Sequence, residues 1–201
     1  GHHQDDLIEN FFIRILRGSG LKGLISLSKR TRILDKNIHR PLLDQKKEDL
    51  QFVADYVFNF YVSDPSNEDE KFKRIRVRRM ISQMKKEGFD KKKMMMTMQN
   101  LKYSNDAISF YYNLNLEKNT FFSAKKNFYL LNDQFFYQPH EIIFRGLSDI
   151  IKIIGKKFNF VRGRKLDYVI HEIRKDKFYR GTLGGCKIKR VNQTVIISKE
   201  H

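Results

Sequence analysis

Cysteine is nearly missing from this chain: Cys186 stands alone among 201 residues. That rules out an internal disulfide and any zinc cage built from cysteines, and it fits a reducing cytoplasm. Acids are also scarce. Asp and Glu number 23 against 40 Lys and Arg, for a formal charge of +17. Proline occurs three times and tryptophan not at all. No run approaches the roughly 20 apolar residues that span a bilayer, and no secretory signal pattern is visible. The expected location is cytoplasmic, with no membrane partner.

What is present points to folded, anion-binding material. Hydrophobic residues make up 40% and aromatics 13%, mostly the 17 phenylalanines, which argues against a disordered tail. The length allows one sizeable core or two small ones. A surface this basic repels itself unless an anion shares it. Nucleic acid leads, since clustered Lys and Arg release counterions from phosphates; an anionic membrane surface is second.

Periodicity lays out the elements. Leu7, Ile8, Phe11, Phe12, Ile15 and Leu16 form a helical stripe over Asp5–Arg17, stopped at Gly18 before a tight "GSGLKGL" turn. A basic connector follows, with one short strand at Ile33 and Leu34. Pro41 and Asp44 introduce a helix expected to bury Leu50, Val53, Ala54, Val57 and Tyr61. "SDPSNEDE" is a turn before a helix that points Val77, Ile81 and Met84 inward. Another helix runs from about Asp90 to Tyr112. Beyond Asn119 come the strand-like "TFFSA" and "NFYLL", helices carrying Leu147, Ile150, Ile151, Ile154 and then Leu166, Val169, Ile170, Ile173, and a hairpin around Asn192-Gln193. The expected fold class is mixed and mainly α, with a small α+β C-terminal domain.

Three constellations could carry chemistry. Asp6 and Glu9 lie three apart at a helix N-terminus, next to His2; together they could hold Mg²⁺, orient an ammonium group or accept a proton. Equally, Asp5 and Asp6 could merely complement the helix dipole, with Gly1-His2-His3 the remnant of a purification tag. In "FKRIRVRRM", Arg74 and Arg78 share one helical face with Arg76 and Arg79 alongside, an arrangement suited to phosphate oxygens. "KKKMMM" is better read as core packing than as a soft-metal site, because adjacent methionines point in different directions. Cys186 and His171 read as structural.

In combination these pieces resemble the tRNA(Ile)-lysidine synthase family. "GHHQDDLIENFFIRILRGSGLKGL" is similar to its His-His-x-Asp-Asp-x-x-Glu-Thr block and the Arg-Gly-Ser-Gly-Leu turn behind it. "RPLL" at Arg40 resembles the next block, "DPSNEDEKFKRIRVRRMI" its Asp-x-Ser-Asn motif and arginine helix, and "TLGGCKI…VIISKE" its closing β segment. Asn10 replaces the usual Thr, and Ile75 the Asn that often follows Arg74.

The resemblance implies an N-type ATP pyrophosphatase that uses ATP and Mg²⁺ to join L-lysine to C2 of the wobble cytidine of tRNA(Ile). AMP and diphosphate are released, and decoding shifts from AUG to AUA. Residues 1–40 would be the end of an α/β, adenine nucleotide α-hydrolase-like catalytic domain. Residues 41–115 would form a helical RNA-binding part and 116–201 a small tRNA-contacting α+β domain. His2, Asp6 and Glu9 would be catalytic, with Asp6 and Glu9 receiving lysine and Asp6 a possible magnesium ligand. Arg17, Arg40, Arg74, Arg78, Arg164, Lys187 and Arg190, helped by Arg162, Lys165 and Lys189, would hold tRNA phosphates near the anticodon. The family's Ser-Gly-Gly-x-Asp-Ser loop has no counterpart here. The chain is therefore expected to bind tRNA in a salt-sensitive way and to form no lysidine alone; a homodimer is a further expectation. Two alternatives stay open: a base-thiolating ATP pyrophosphatase, and a basic RNA-binding module without catalysis.

Overall fold

The computed structural model describes residues 2–33, 36–60, 71–156, 163–176 and 178–200. "SDPSNEDE" and Arg162 fall outside these residues, as do Leu34 and Tyr61. The chain divides into two compact units, Gly1–Asn105 and Asp106–His201.

In the first unit, helix α1 (Gln4–Ile15) buries Leu7, Ile8 and Phe11 of the expected stripe together with Ile13, which the stripe did not include; Phe12 is half-buried, and Ile15 and Leu16, at the end of the helix, are exposed. Gly18 takes a left-handed φ of 67°, and its N–H reaches Ile15 O, which ends the helix as anticipated. The following turn contains one helical turn of its own, α2 (Leu21–Leu24). The connector is a two-stranded antiparallel hairpin of β1 (Arg30–Ile33) and β2 (Lys36–His39), where one strand was expected. Pro41–Asp44 closes as a 3-10 turn that buries Leu43, and Asp44 pairs with Lys29 instead of capping a helix.

Helix α3 (Lys47–Phe58) forms, but it contributes no buried residue. Its predicted core side is only partly covered: Leu50 and Ala54 are half-buried, while Val53 and Val57 are exposed, along with Phe52, Tyr56 and Phe58. Periodicity identified an apolar face, but none of its described residues is fully buried. Helix α4 (Lys73–Lys86) buries Val77 and Ile81 against α1. Helix α5 (Lys91–Asn119) begins in this unit, with Met94, Met95, Met98 and Leu101 joining its core while Met96 is exposed. The first unit's core thus draws on both 1–40 and 41–105. A three-part division at 40 and 115 is carried forward as a proposal about roles; packing divides the chain in two.

The second unit takes up the last part of α5, which extends seven residues past Tyr112. Strands β3 (Thr120–Ser123) and β4 (Phe128–Asn132) follow, then a 3-10 turn at Asp133–Tyr137. After these come α6 (His140–Gly155), α7 (Gly163–Lys175), β5 (Phe178–Leu183), β6 (Cys186–Val191) and β7 (Thr194–Lys199). The sheet is antiparallel throughout, in the order β3-β4-β7-β6-β5. The hairpin at Asn192-Gln193 is as expected, with Asn192 left-handed at φ 54°. Strand β5 was not anticipated. Helices α6 and α7 cover one sheet face with the predicted stripes Leu147, Ile150, Ile151, Ile154 and Leu166, Val169, Ile170, Ile173. Gly155 is required there: a side chain would run into Gly184 O, 2.1 Å from its ideal Cβ position. Cys186 lies in this core and donates its thiol to Ile151 O at 3.4 Å. His171, expected to be structural, is instead exposed on α7 beside Glu172.

The candidate acid and arginine clefts

Extended backbone at His3 (φ −128°, ψ −178°) starts α1. Its N–H donates to Asp6 Oδ2 at 2.9 Å, and its imidazole Nε2 is 3.6 Å from the same oxygen. Asp6 is therefore largely spent on holding the first turn. One turn on, Glu9 is 4% exposed and meets α4, where Arg78 Nε donates to Glu9 Oε1 at 2.5 Å. Glu9 Oε2 is buried with no hydrogen-bond partner among the described residues. A half-satisfied buried carboxylate is costly, so that oxygen is an open acceptor awaiting a donor.

Arg78 stands between two clefts. On the Glu9 side, a space of about 160 Å³ is lined by His3, Asp5, Glu9, Lys47, Arg78 and Lys91, with Lys91 Nζ donating to Asp5 Oδ1 at 2.6 Å. On the other side, a larger cleft of about 440 Å³ is lined by Asn10, Arg17, Phe72, Lys73, Arg74 and Arg78. Among the described residues no acid lines the second cleft. The Arg78 guanidinium is held above its ordinary value, chiefly by its hydrogen bond to Glu9; burial opposes this, and the charges of Glu9, Asp6 and Asp5 add to it. It therefore remains a cation. The arrangement can receive a cation at Glu9 and an anion at the arginines, side by side.

The predicted residues distribute unevenly. Asp6 and Glu9 share the inner side of α1, but only Glu9 lines a cleft. His2 is half-buried and lines neither; its neighbour His3 takes the place at the helix start. Arg17, Arg74 and Arg78 come together around one cleft. Arg40 is half-buried, and its Nη1 donates to Ser28 O at 3.1 Å and Thr31 Oγ1 at 2.8 Å, which braces the connector. In the second unit Arg164, Lys165, Lys187 and Lys189 are exposed.

Arg190 requires correction. It is 8% exposed, donates to Asp133 Oδ1 at 2.7 Å and Asn192 O at 3.0 Å, and also reaches Ile173 O. Strand alternation turns it inward with Cys186 and Ile188, so it is a structural cation and not a surface contact. Among the described residues no group of three or more His, Cys, Asp or Glu is arranged to hold a metal ion. With Asp6 committed to the helix start, a magnesium cage of the described side chains does not fit. No described helix is long and apolar enough to cross a membrane.

Sequence reasoning missed His3, Lys73 and Lys91. His3 had a readable signal, since the residue immediately before a helix's first turn is the one that caps it. Lys91 had none, because its partner Asp5 is 86 positions away.

Residues 1–85 match the PP-loop domain family. The chain is 32% identical over 212 residues to the tRNA(Ile)-lysidine synthase of Orientia tsutsugamushi (strain Boryong), covering 100% of this chain and 47% of that protein. Against the protein of the same name from Wolbachia sp. subsp. Brugia malayi (strain TRS), identity is 28% over 200 residues, 99% of this chain and 46% of the relative. A Francisella tularensis subsp. holarctica (strain OSU18) protein of that name is 42% identical over 81 residues, 40% of this chain and 20% of its own length. The chain spans about half the length of the two relatives it matches from end to end.

Proposed function

We propose, from its likeness over its whole length to proteins named tRNA(Ile)-lysidine synthase, that the chain belongs to that family and serves the ATP-dependent ligation of L-lysine to the wobble cytidine of tRNA(Ile). The single observation carrying this reading is the Glu9–Arg78 pair, with an open carboxylate oxygen on one side and an arginine cleft on the other. Glu9 Oε2 receives the lysine ammonium, with Asp5 and Asp6 adding negative charge nearby. The incoming ε-ammonium must lose one proton before it attacks the adenylated cytidine and a second as the C–N bond forms and AMP leaves, and a carboxylate at the mouth of α1 is placed to take one of them. Arg17, Arg74 and the free edge of Arg78 neutralise phosphates, from ATP or from the tRNA backbone, and so position without reading sequence. Magnesium bound to the phosphates of ATP is part of the proposed reaction; a cage of this chain's own side chains is not.

Thiolation has less support. The one thiol this sequence offers, Cys186, is sealed in the second unit's core. A purely passive RNA module leaves the unpartnered Glu9 oxygen without a purpose.

The test is segment exchange. The chain replaces the matching segment of the Orientia tsutsugamushi relative, and lysidine formation is measured with ATP, lysine and a tRNA(Ile) transcript. Glu9→Gln in the exchanged enzyme is expected to lower turnover by a factor on the order of 10² or more while tRNA affinity stays within twofold. Turnover that survives Glu9→Gln unchanged would sink the assignment.

A further inference from the structure

The cleft on the Glu9 side carries more positive charge than its acids can match. Arg78 is paired with Glu9, and Lys91 with Asp5. Lys47 of α3 and Lys85 of α4 line the same cleft, are exposed, and form no ion pair among the described residues. Four cations against two acids leave two positive charges over, both at the open rim. Below them lies the buried acceptor Glu9 Oε2, with nothing donating to it among the described residues. A ligand that satisfies both ends carries a cation at one end and an anion at the other.

Helix α4 sets the distance between those ends. Arg78, Ile81, Ser82 and Lys85 fall at i, i+3, i+4 and i+7, which is one helical face, and all four line the cleft. At 1.5 Å per residue, roughly 10 Å of helix axis separates Arg78, beside Glu9, from Lys85. An extended lysine spans roughly 7 Å from its ammonium nitrogen to its carboxyl carbon. The two lengths agree within the reach of a flexible lysine side chain. Ile81, and Ile8 from α1, line the space between and give the four methylenes an apolar wall.

Glu9 alone accepts any ammonium, so it does not tell lysine from a diamine. Cations at the far end supply that discrimination twice over: they attract a carboxylate and repel a second ammonium.

We propose that Lys47 and Lys85 hold the carboxylate of free lysine, so that this cleft selects the amino acid over a diamine of the same length. The proposal rests on Glu9 receiving the ε-ammonium and adds the group that recognises the opposite end of the substrate.

The test uses the segment-exchanged enzyme and steady-state kinetics in lysine. Lys47→Ala combined with Lys85→Ala should raise the lysine KM roughly 10-fold, the loss expected for a charged contact at an exposed rim. Turnover at saturating lysine should stay within twofold, because the carboxylate lies away from the reacting amine. Cadaverine, which is lysine without its carboxylate, should compete poorly in the unsubstituted enzyme and better in the double variant. Lys86→Ala removes an exposed cation next to Lys85 but outside the cleft, and should change neither measurement. Both rim lysines are on the surface, so circular dichroism should show the double variant folded. An unchanged lysine KM in the double variant overturns the proposal. So does cadaverine that competes as strongly as lysine binds, or a KM that rises for ATP in place of lysine. A double variant without effect, in an enzyme that Glu9→Gln disables, rejects the carboxylate contact and keeps the function. Turnover indifferent to Glu9→Gln rejects the reading at Glu9 itself, whatever the lysine KM does.

Discussion

The two units are built on opposite plans. The second encloses 16 apolar residues between two helices and a sheet, most of them fully buried. Among the described residues the first gathers eight, carries the buried acids Asp6 and Glu9 beside them, and leaves Val53 and Val57 of α3 exposed. Charge buried next to a small core lowers stability unless it is used, which is the usual signature of a site. Stability is thus concentrated in the second unit and the candidate chemistry in the first.

Core deletions should widen that contrast most. Leu147 is fully buried beneath the sheet, and Leu147→Ala should cost about 3–5 kcal/mol in chemical denaturation. Ile81 sits at the edge of the smaller core, where Ile81→Ala should cost nearer 2 kcal/mol, the lower end of the same range. Equal losses in the two variants would mean that the units do not differ in packing. Native-state hydrogen exchange offers a second view: amides of α6, α7 and β6 should outlast those of α1 and α4.

Removing buried cations comes next. Arg190→Ala strands Asp133 and the carbonyls of Ile173 and Asn192, for about 3 kcal/mol. It should leave RNA affinity far less changed than Lys189→Ala does, although the two residues are adjacent. An Arg190→Ala variant that stays stable but loses RNA would restore Arg190 to the surface. In the first unit Glu9→Gln should cost less, about 1–2 kcal/mol, because Arg78 is partly exposed and can turn to water. Its large effect is expected in turnover, so one substitution separates the roles of the two units.

Legibility in the sequence follows the same division. The stripes of α6 and α7 were readable because each finds its partner within the unit, so period and burial coincide. Leu50, Val53, Ala54 and Val57 have the same period on α3, but a stripe reports a face suited to burial and not what covers it. In β6 the basic residues were counted together, whereas alternation with Cys186 and Ile188 separates Arg190 from Lys187 and Lys189. Helix α5 ran past Tyr112 through "NLNLEKN", a segment with no strong stripe, because extending a formed helix costs little. At the candidate site, the spacing of Asp6 and Glu9 was correct as a shared side of α1. Their partners were not legible: Arg78 lies 69 positions from Glu9, and no local pattern encodes that distance.

The smallest expected effect lies at the start of α5. Asp90 Oδ1 accepts the Lys93 N–H at 2.9 Å, and this backbone hydrogen bond is the first cause that lowers the Asp90 pKa from its ordinary 3.8. A carboxyl whose pKa is depressed on folding stabilises fully above its unfolded value and loses that contribution as pH falls through the folded one. The cap should therefore be intact at pH 5 and above, and weaken only below the ordinary carboxylate range. Because Asp90 is fully exposed, the loss should stay local. Exchange of the first amides of α5 should accelerate on acidification in the unsubstituted chain and be less pH-sensitive in Asp90→Asn, whose side-chain oxygen still caps but does not titrate. If acid instead released α6 or β6 amides in step with those of α5, the two units would unfold as one, and the contrast between them would be a difference in composition without a difference in stability.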